Sequence, residues 1–182
     1  MNTKKMYHFL RELDARRIWL FDFNDLRVWF GESNPTIHRG LAQHIVDGLI
    51  VRVTRGLYAN AMPSSRPMYA REALVRYLRP LEISYESFES ALSGYGVISQ
   101  ISTRLTMATT GRNGEFVTPF GVIEFTHVSW PLENLYPGIV WDDYRMVWTA
   151  LPDQAYADLS KAKRNLHLVD LEELEDARHD YA

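Results

Sequence analysis

The 182-residue sequence contains no cysteine, which excludes a disulfide framework, thiolate zinc sites and cysteine nucleophiles. It has no apolar run near the roughly 18 residues that a membrane span requires. Met1 to Lys5 lead into a periodic helical pattern instead of the apolar core of a signal peptide. A cytoplasmic protein with no membrane partner is therefore expected. Glycine-rich phosphate loops and a nucleophile elbow are also missing, and His127 has no second histidine at metal-ligand spacing. No catalytic residue, no metal and no cofactor are implied, and the expected class is not an enzyme.

What is present is a globular composition, 46% apolar and 24% charged, in a chain long enough to bury about 70% of its extended surface without a staple. The net charge of -3 argues against a strongly basic nucleic-acid binder. That average conceals a split. Through Arg66 there are ten basic and six acidic residues; from Pro67 onward there are ten basic and seventeen acidic. Turn formers over Asn60 to Pro67 place a domain boundary there, giving expected domains 1–62 and 67–182.

In the first part, Met6, Phe9, Leu10 and Leu13 repeat at helical spacing. Ile18 to Phe21 reads as extended, and Asp22 with Asp25 caps a second helix that Gly31 ends. Asn34-Pro35 opens a third helix that stops at Gly48. Leu49 to Val53 and Leu57 to Ala59, joined by Thr54-Arg55-Gly56, read as a β-hairpin. Three helices followed by a hairpin predict a winged helix-turn-helix, within an overall α+β fold class.

On the third helix, at about 100° per residue, Ile37, Leu41, Ile45 and His38 share the side expected to be buried, with His38 closing the core edge. Thr36, Arg39 and Gln43 lie opposite, where a recognition helix carries side chains that hydrogen-bond base edges. Gly40 beside that face suggests a close backbone or phosphate approach. In the hairpin, alternation puts Arg52 on the solvent side and Arg55 at the tip, both suited to phosphate contact. Thr36, Arg39, Gln43, Arg52 and Arg55 are the candidate contacts to double-stranded DNA.

The second part reads as mixed α and β. Helices are expected over Ala70 to Tyr77 and from Ser84-Tyr85-Glu86-Ser87 through Tyr95, where Glu86 and Glu89 serve the first helical turn. Strands are expected at Val97-Ile98, Leu105 to Thr109, Glu115 to Thr118 and Val122 to Val128, the middle two joined by the turn Gly111 to Gly114. Helices follow from Pro152 and over Leu166 to Ala182. Trp130, Tyr136, Trp141, Tyr144 and Trp148 crowd an otherwise irregular stretch; they fill a core or form a groove for a partner. Pro152-Asp153 resembles the opening of a restriction-nuclease pattern, but the acid-x-Lys strand is missing, leaving Asp153 and Asp158 as its only candidates.

The chain resembles the antitoxins of type IV abortive-infection (AbiE) toxin–antitoxin systems, which are also described as transcriptional regulators. The resemblance rests on Gly48-Leu49-Ile50-Val51-Arg52-Val53-Thr54-Arg55-Gly56-Leu57-Tyr58 and on Tyr85-Glu86-Ser87-Phe88-Glu89-Ser90-Ala91-Leu92-Ser93-Gly94-Tyr95-Gly96-Val97-Ile98. It continues in Thr118-Pro119-Phe120-Gly121 and Leu151-Pro152-Asp153-Gln154-Ala155-Tyr156-Ala157-Asp158-Leu159. It implies an N-terminal winged helix that represses its own operon by binding inverted repeats in the promoter. It also implies functional pairing with a nucleotidyltransferase-like toxin without a stable complex. A protein-interaction adaptor built on a winged helix and a stand-alone regulator are the alternatives.

Overall fold

Asn2 caps the first helix, α1 (Thr3–Ala15), its side chain accepting from Lys5 N at 2.9 Å, and Met6, Phe9 and Leu10 form the buried stripe. The chain then enters a short strand, β1 (Leu20–Asp22), whose last residue caps α2 (Phe23–Phe30) in a reciprocal box with Asp25. Gly31, at φ +62°, ends α2 in the left-handed region. Pro35 lies in the first turn of α3 (Asn34–Val46), where its missing N–H costs nothing. Strands β2 (Ile50–Thr54) and β3 (Leu57–Asn60) follow, and β1 joins them in an antiparallel sheet of order β1-β3-β2.

This computed structural model describes residues 1–181 and divides into two units, Met1–Met68 and Tyr69–Ala182. The core of the first gathers Met6, Phe9, Leu10, Phe21, Leu26, Ile37, Leu41, Ile50 and Tyr58 from all three helices and the sheet. Each fully buried side chain of leucine size contributes about 1.5–3 kcal/mol before entropy is subtracted. The turn-rich stretch after β3 is held to this unit. Asp14 accepts from Ser64 N at 3.1 Å, Ser64 Oγ at 2.7 Å and Ser65 N at 2.8 Å.

The second unit begins with two helical turns, α4 (Ala70–Ala73) and α5 (Val75–Leu78). Its sheet runs β6-β7-β5-β4-β9-β8, from β4 (Ser84–Glu86), β5 (Arg104–Thr109), β6 (Gly114–Thr118), β7 (Gly121–His127), β8 (Ile139–Asp142) and β9 (Val147–Ala150). The β5–β7 and β4–β9 pairs are parallel and the others antiparallel. Helix α6 (Phe88–Gly94) packs with α8 (Pro152–Lys161) and α9 (Leu171–Asp180) around Tyr85, Phe88, Leu92, Ala150, Leu159 and Leu174. A further turn, α7 (Leu132–Leu135), precedes β8.

Several expectations are corrected. Ser84–Glu86 is a buried central strand, not a helix start; α6 begins at Phe88, whose φ of +57° marks the break between strand and helix. Val97 and Ile98 are buried but form no strand. The turn at Gly111 to Gly114 does not close a hairpin, because β7 inserts between β5 and β6. The aromatic stretch contains the paired strands β8 and β9. Leu166–Leu168 is a separate 3-10 turn before α9, which Asp170 caps. The molecule is mixed α+β, and among the described residues no helix is long and apolar enough to cross a membrane.

Candidate nucleic-acid interface

Helix α3 buries Ile37, Leu41 and His44, so its inward face is centred between Ile37 and His44. This corrects the sequence reading in two places. Ile45 is partly exposed, and His38 leaves the core to stack on Phe23 of α2, with ring centroids 4.5 Å apart and planes 22° from parallel. His44 was missed. It lies one position from Ile45, and only the exact phase of the stripe separates an inward from an edge position.

Arg39 and Gln43 are exposed on the outer side of α3, and Thr36 is half-buried at its first turn. Arg39 makes no hydrogen bond or ion pair among the described residues. Gln43 donates Nε2 to Asp47 Oδ1 at 2.8 Å, and the Thr36 hydroxyl lies 3.0 Å from that of Ser33. Both must exchange a local bond for any contact with a base. Val46, 82% exposed, shares this outer side with Arg39 near the C-terminal end; its phase opposite Ile37 is the sequence signal for it.

The space beside Gly40 belongs to the protein itself. A Cβ there would meet Met1 Cε at 2.7 Å and Met1 Cβ at 3.0 Å. The glycine therefore admits the Met1 side chain, which replaces the phosphate-approach reading.

Gly48, at φ +70°, turns the chain from α3 into β2. Arg52 is exposed, as expected, but not through simple alternation. It sits on the same face as Ile50, which is fully buried, and opposite the buried Tyr58. The register slips by one residue between Arg52 and Thr54, so Val53 is buried and Arg52 Nε turns to Thr54 O at 3.3 Å. A bulge of this kind re-aims the side chain beside it. Arg55 and Gly56 form the tip; Gly56 takes φ +83°, and Arg55 projects without a partner among the described residues.

The electrostatic pattern of this unit is more informative than any one distance. Five of its six carboxylates are engaged: Asp14 by Ser64 and Ser65, Asp22 and Asp25 by the α2 cap, Glu32 by the Met1 amine at 2.5 Å, and Asp47 by Gln43, while Glu12 makes no hydrogen bond or ion pair among the described residues. The Asp14 bonds hold its carboxyl well below the usual range. Among the described residues, Lys4, Lys5, Arg16, Arg17, Arg39, Arg52 and Arg55 form no ion pair. The second unit differs: Arg71, Arg79, Arg104, Arg145, Arg164 and Arg178 all reach carboxylates.

The nuclease candidates do not converge. Asp153 is exposed and paired with Arg178 at 2.6 Å. Asp158 is 0% exposed and accepts four hydrogen bonds, from Tyr85 at 2.9 Å, Ser87 at 2.6 Å, Trp130 at 2.5 Å and Gln154 at 3.0 Å. Burial pushes its carboxyl up and these donors oppose the shift. Lys161 sits 3.9 Å over the Trp130 ring instead of beside either acid. Glu86, expected as a helix-capping acid, is instead buried and paired with Arg145 at 2.6 Å.

No family model matches the sequence, and no curated protein matches it.

Proposed function

We propose that the chain is a DNA-binding transcriptional regulator whose N-terminal unit works as a winged helix. In this reading α3 enters the major groove, with Thr36, Arg39 and Gln43 toward base edges, while Arg52 and Arg55 on the β2–β3 hairpin hold phosphates. The observation that carries it is a set of cations without ion pairs, Lys4, Lys5, Arg16, Arg17, Arg39, Arg52 and Arg55, on a unit where five of six carboxylates, all but Glu12, are engaged by other groups. Uncompensated lysine and arginine are what counterion release from duplex DNA requires. The order of three helices and a hairpin, with β1 completing the sheet, supports the same reading.

The resemblance to type IV antitoxins read from the sequence would give the regulator a specific setting, autorepression at promoter inverted repeats beside a nucleotidyltransferase-like toxin. A mobility-shift titration on the chain's own upstream DNA tests the binding, and absence of a shifted band at low salt refutes it. A downstream nucleotidyltransferase reading frame tests the setting. A second reading, an interaction adaptor, draws on Trp141 and Trp148, which are 38% and 40% exposed and stacked edge-on at 5.6 Å. It requires that Trp141→Ala abolish a partner complex while DNA is not bound.

A further inference from the structure

The six-stranded sheet carries a cleft that DNA contact does not use. Glu86, Thr149 and Val140 lie side by side across β4, β9 and β8 in their strand registers and line a cleft of about 460 Å³. That volume lies within the ~300–1,000 Å³ of small-molecule sites. The end of α6 runs along it at Gly94 and Tyr95, and a Cβ at Gly94 would meet nothing within 4 Å.

Charge and aromatic surface meet here. Glu86 is held by Arg145 at 2.6 Å, and Glu72 by Arg71 at 3.0 Å and Arg145 at 3.6 Å. The Asp142 carboxylate accepts the backbone N–H groups of Tyr144 at 3.0 Å and Arg145 at 2.9 Å. Of these groups Glu86, Asp142 and Arg145 line the cleft, so its lining sets two carboxylates against one guanidinium group, which Glu72 and Asp142 also act on. Tyr95 and Tyr181 meet edge-to-face at 4.8 Å, and Trp141 adds a third ring to the lining. Burial, then Tyr181 and Glu86, push the Tyr95 hydroxyl up to about 12, so it stays neutral and donates to Ala150 O at 2.8 Å. Thr149, 9% exposed, lines the cleft, and its buried hydroxyl has no hydrogen-bond partner among the described residues.

We propose that this cleft binds a small organic cation, an ammonium group carried on a compact apolar body. The excess carboxylate attracts the charge, the ring faces stabilise it through their quadrupoles, and Thr149 supplies a hydroxyl for a polar substituent. The ligand is independent of whether the other unit binds DNA.

The test titrates the full chain with choline, with its neutral isostere 3,3-dimethylbutan-1-ol and with acetate at matched ionic strength, read by calorimetry and tryptophan fluorescence. Saturable choline binding is expected, with the isostere about tenfold weaker and acetate inactive. Asp142→Asn keeps the turn's oxygen acceptor while removing the charge, and should weaken choline severalfold but leave the isostere unchanged. Gly94→Leu should fill the cleft and abolish binding with an unaltered thermal melt. The proposal is overturned if choline shows no saturable binding up to about 50 mM, if the isostere binds equally well, or if Asp142→Asn binds choline as the parent does. Should Gly94→Leu fail to fold, Asp142→Asn still decides.

Discussion

Burial holds the His44 imidazole below its ordinary value; Asp47 Oδ2, the nearest carboxylate oxygen, is 3.8 Å from Nδ1 and only partly opposes the shift. The Met1 amine adds a smaller repulsion. The unfolded chain takes up this proton near pH 6.5 while the folded unit resists it, so the unfolded state binds more protons. Stability contributed by neutral His44 is therefore complete above about pH 6.5 and declines as pH falls toward the folded value. Urea unfolding at about pH 7.5 and pH 5.5 should show this loss, and His44→Leu should remove it. At Gly56, φ is +83° with open space around the missing Cβ, so Gly56→Ala should cost about 1 kcal/mol through backbone strain alone. Arg39→Ala should cost about 1–3 kcal/mol on a cognate DNA site and little on random duplex, measured by anisotropy with both DNAs.

Asp158 joins three elements of the second unit. Through Tyr85 and Ser87 it fixes the end of β4 to α8, and through Trp130 it holds the segment after β7. Asp158→Ala strands the buried donors of Tyr85 and Ser87 and the half-buried ones of Trp130 and Gln154, and should cost about 3 kcal/mol or more in a denaturant melt. Asp153→Ala, breaking an exposed pair, should cost well under 1 kcal/mol. Elements with strong local signals were legible: the α2 capping box, the Pro35 start of α3, the β2–β3 turn and α8 all appear where sequence places them. Strand β4 was not, because Ser84-Tyr85-Glu86 is only three residues long and its neighbours β5 and β9 come from distant sequence. Its charged Glu86 reads as exposed until Arg145, 59 positions later, is known to cover it. On α3 the outer Arg39 and Gln43 were legible from phase. The bulge that aims Arg52 was not, since β2 keeps a regular apolar pattern through the register slip.

The net charge of -3 is a poor guide to partners because the two units use their cations differently. In the second, arginines are spent on internal pairs such as Arg164 with Glu89 and Glu124 at 3.0 and 2.5 Å. In the first, five of six carboxylates are held by caps, backbone N–H groups, hydroxyls, an amide and the Met1 amine, and Lys4, Lys5, Arg16, Arg17, Arg39, Arg52 and Arg55 form no ion pair among the described residues. In the proposed function those cations meet DNA phosphates. Its most direct test is anisotropy of the full chain on duplex DNA from its own upstream region, over about 50 to 200 mM salt. The logarithm of the affinity should fall linearly with the logarithm of salt, and Arg52→Ala and Arg55→Ala should each reduce the slope by about 1. Absence of binding at the lowest salt, or a slope that neither substitution changes, would contradict it.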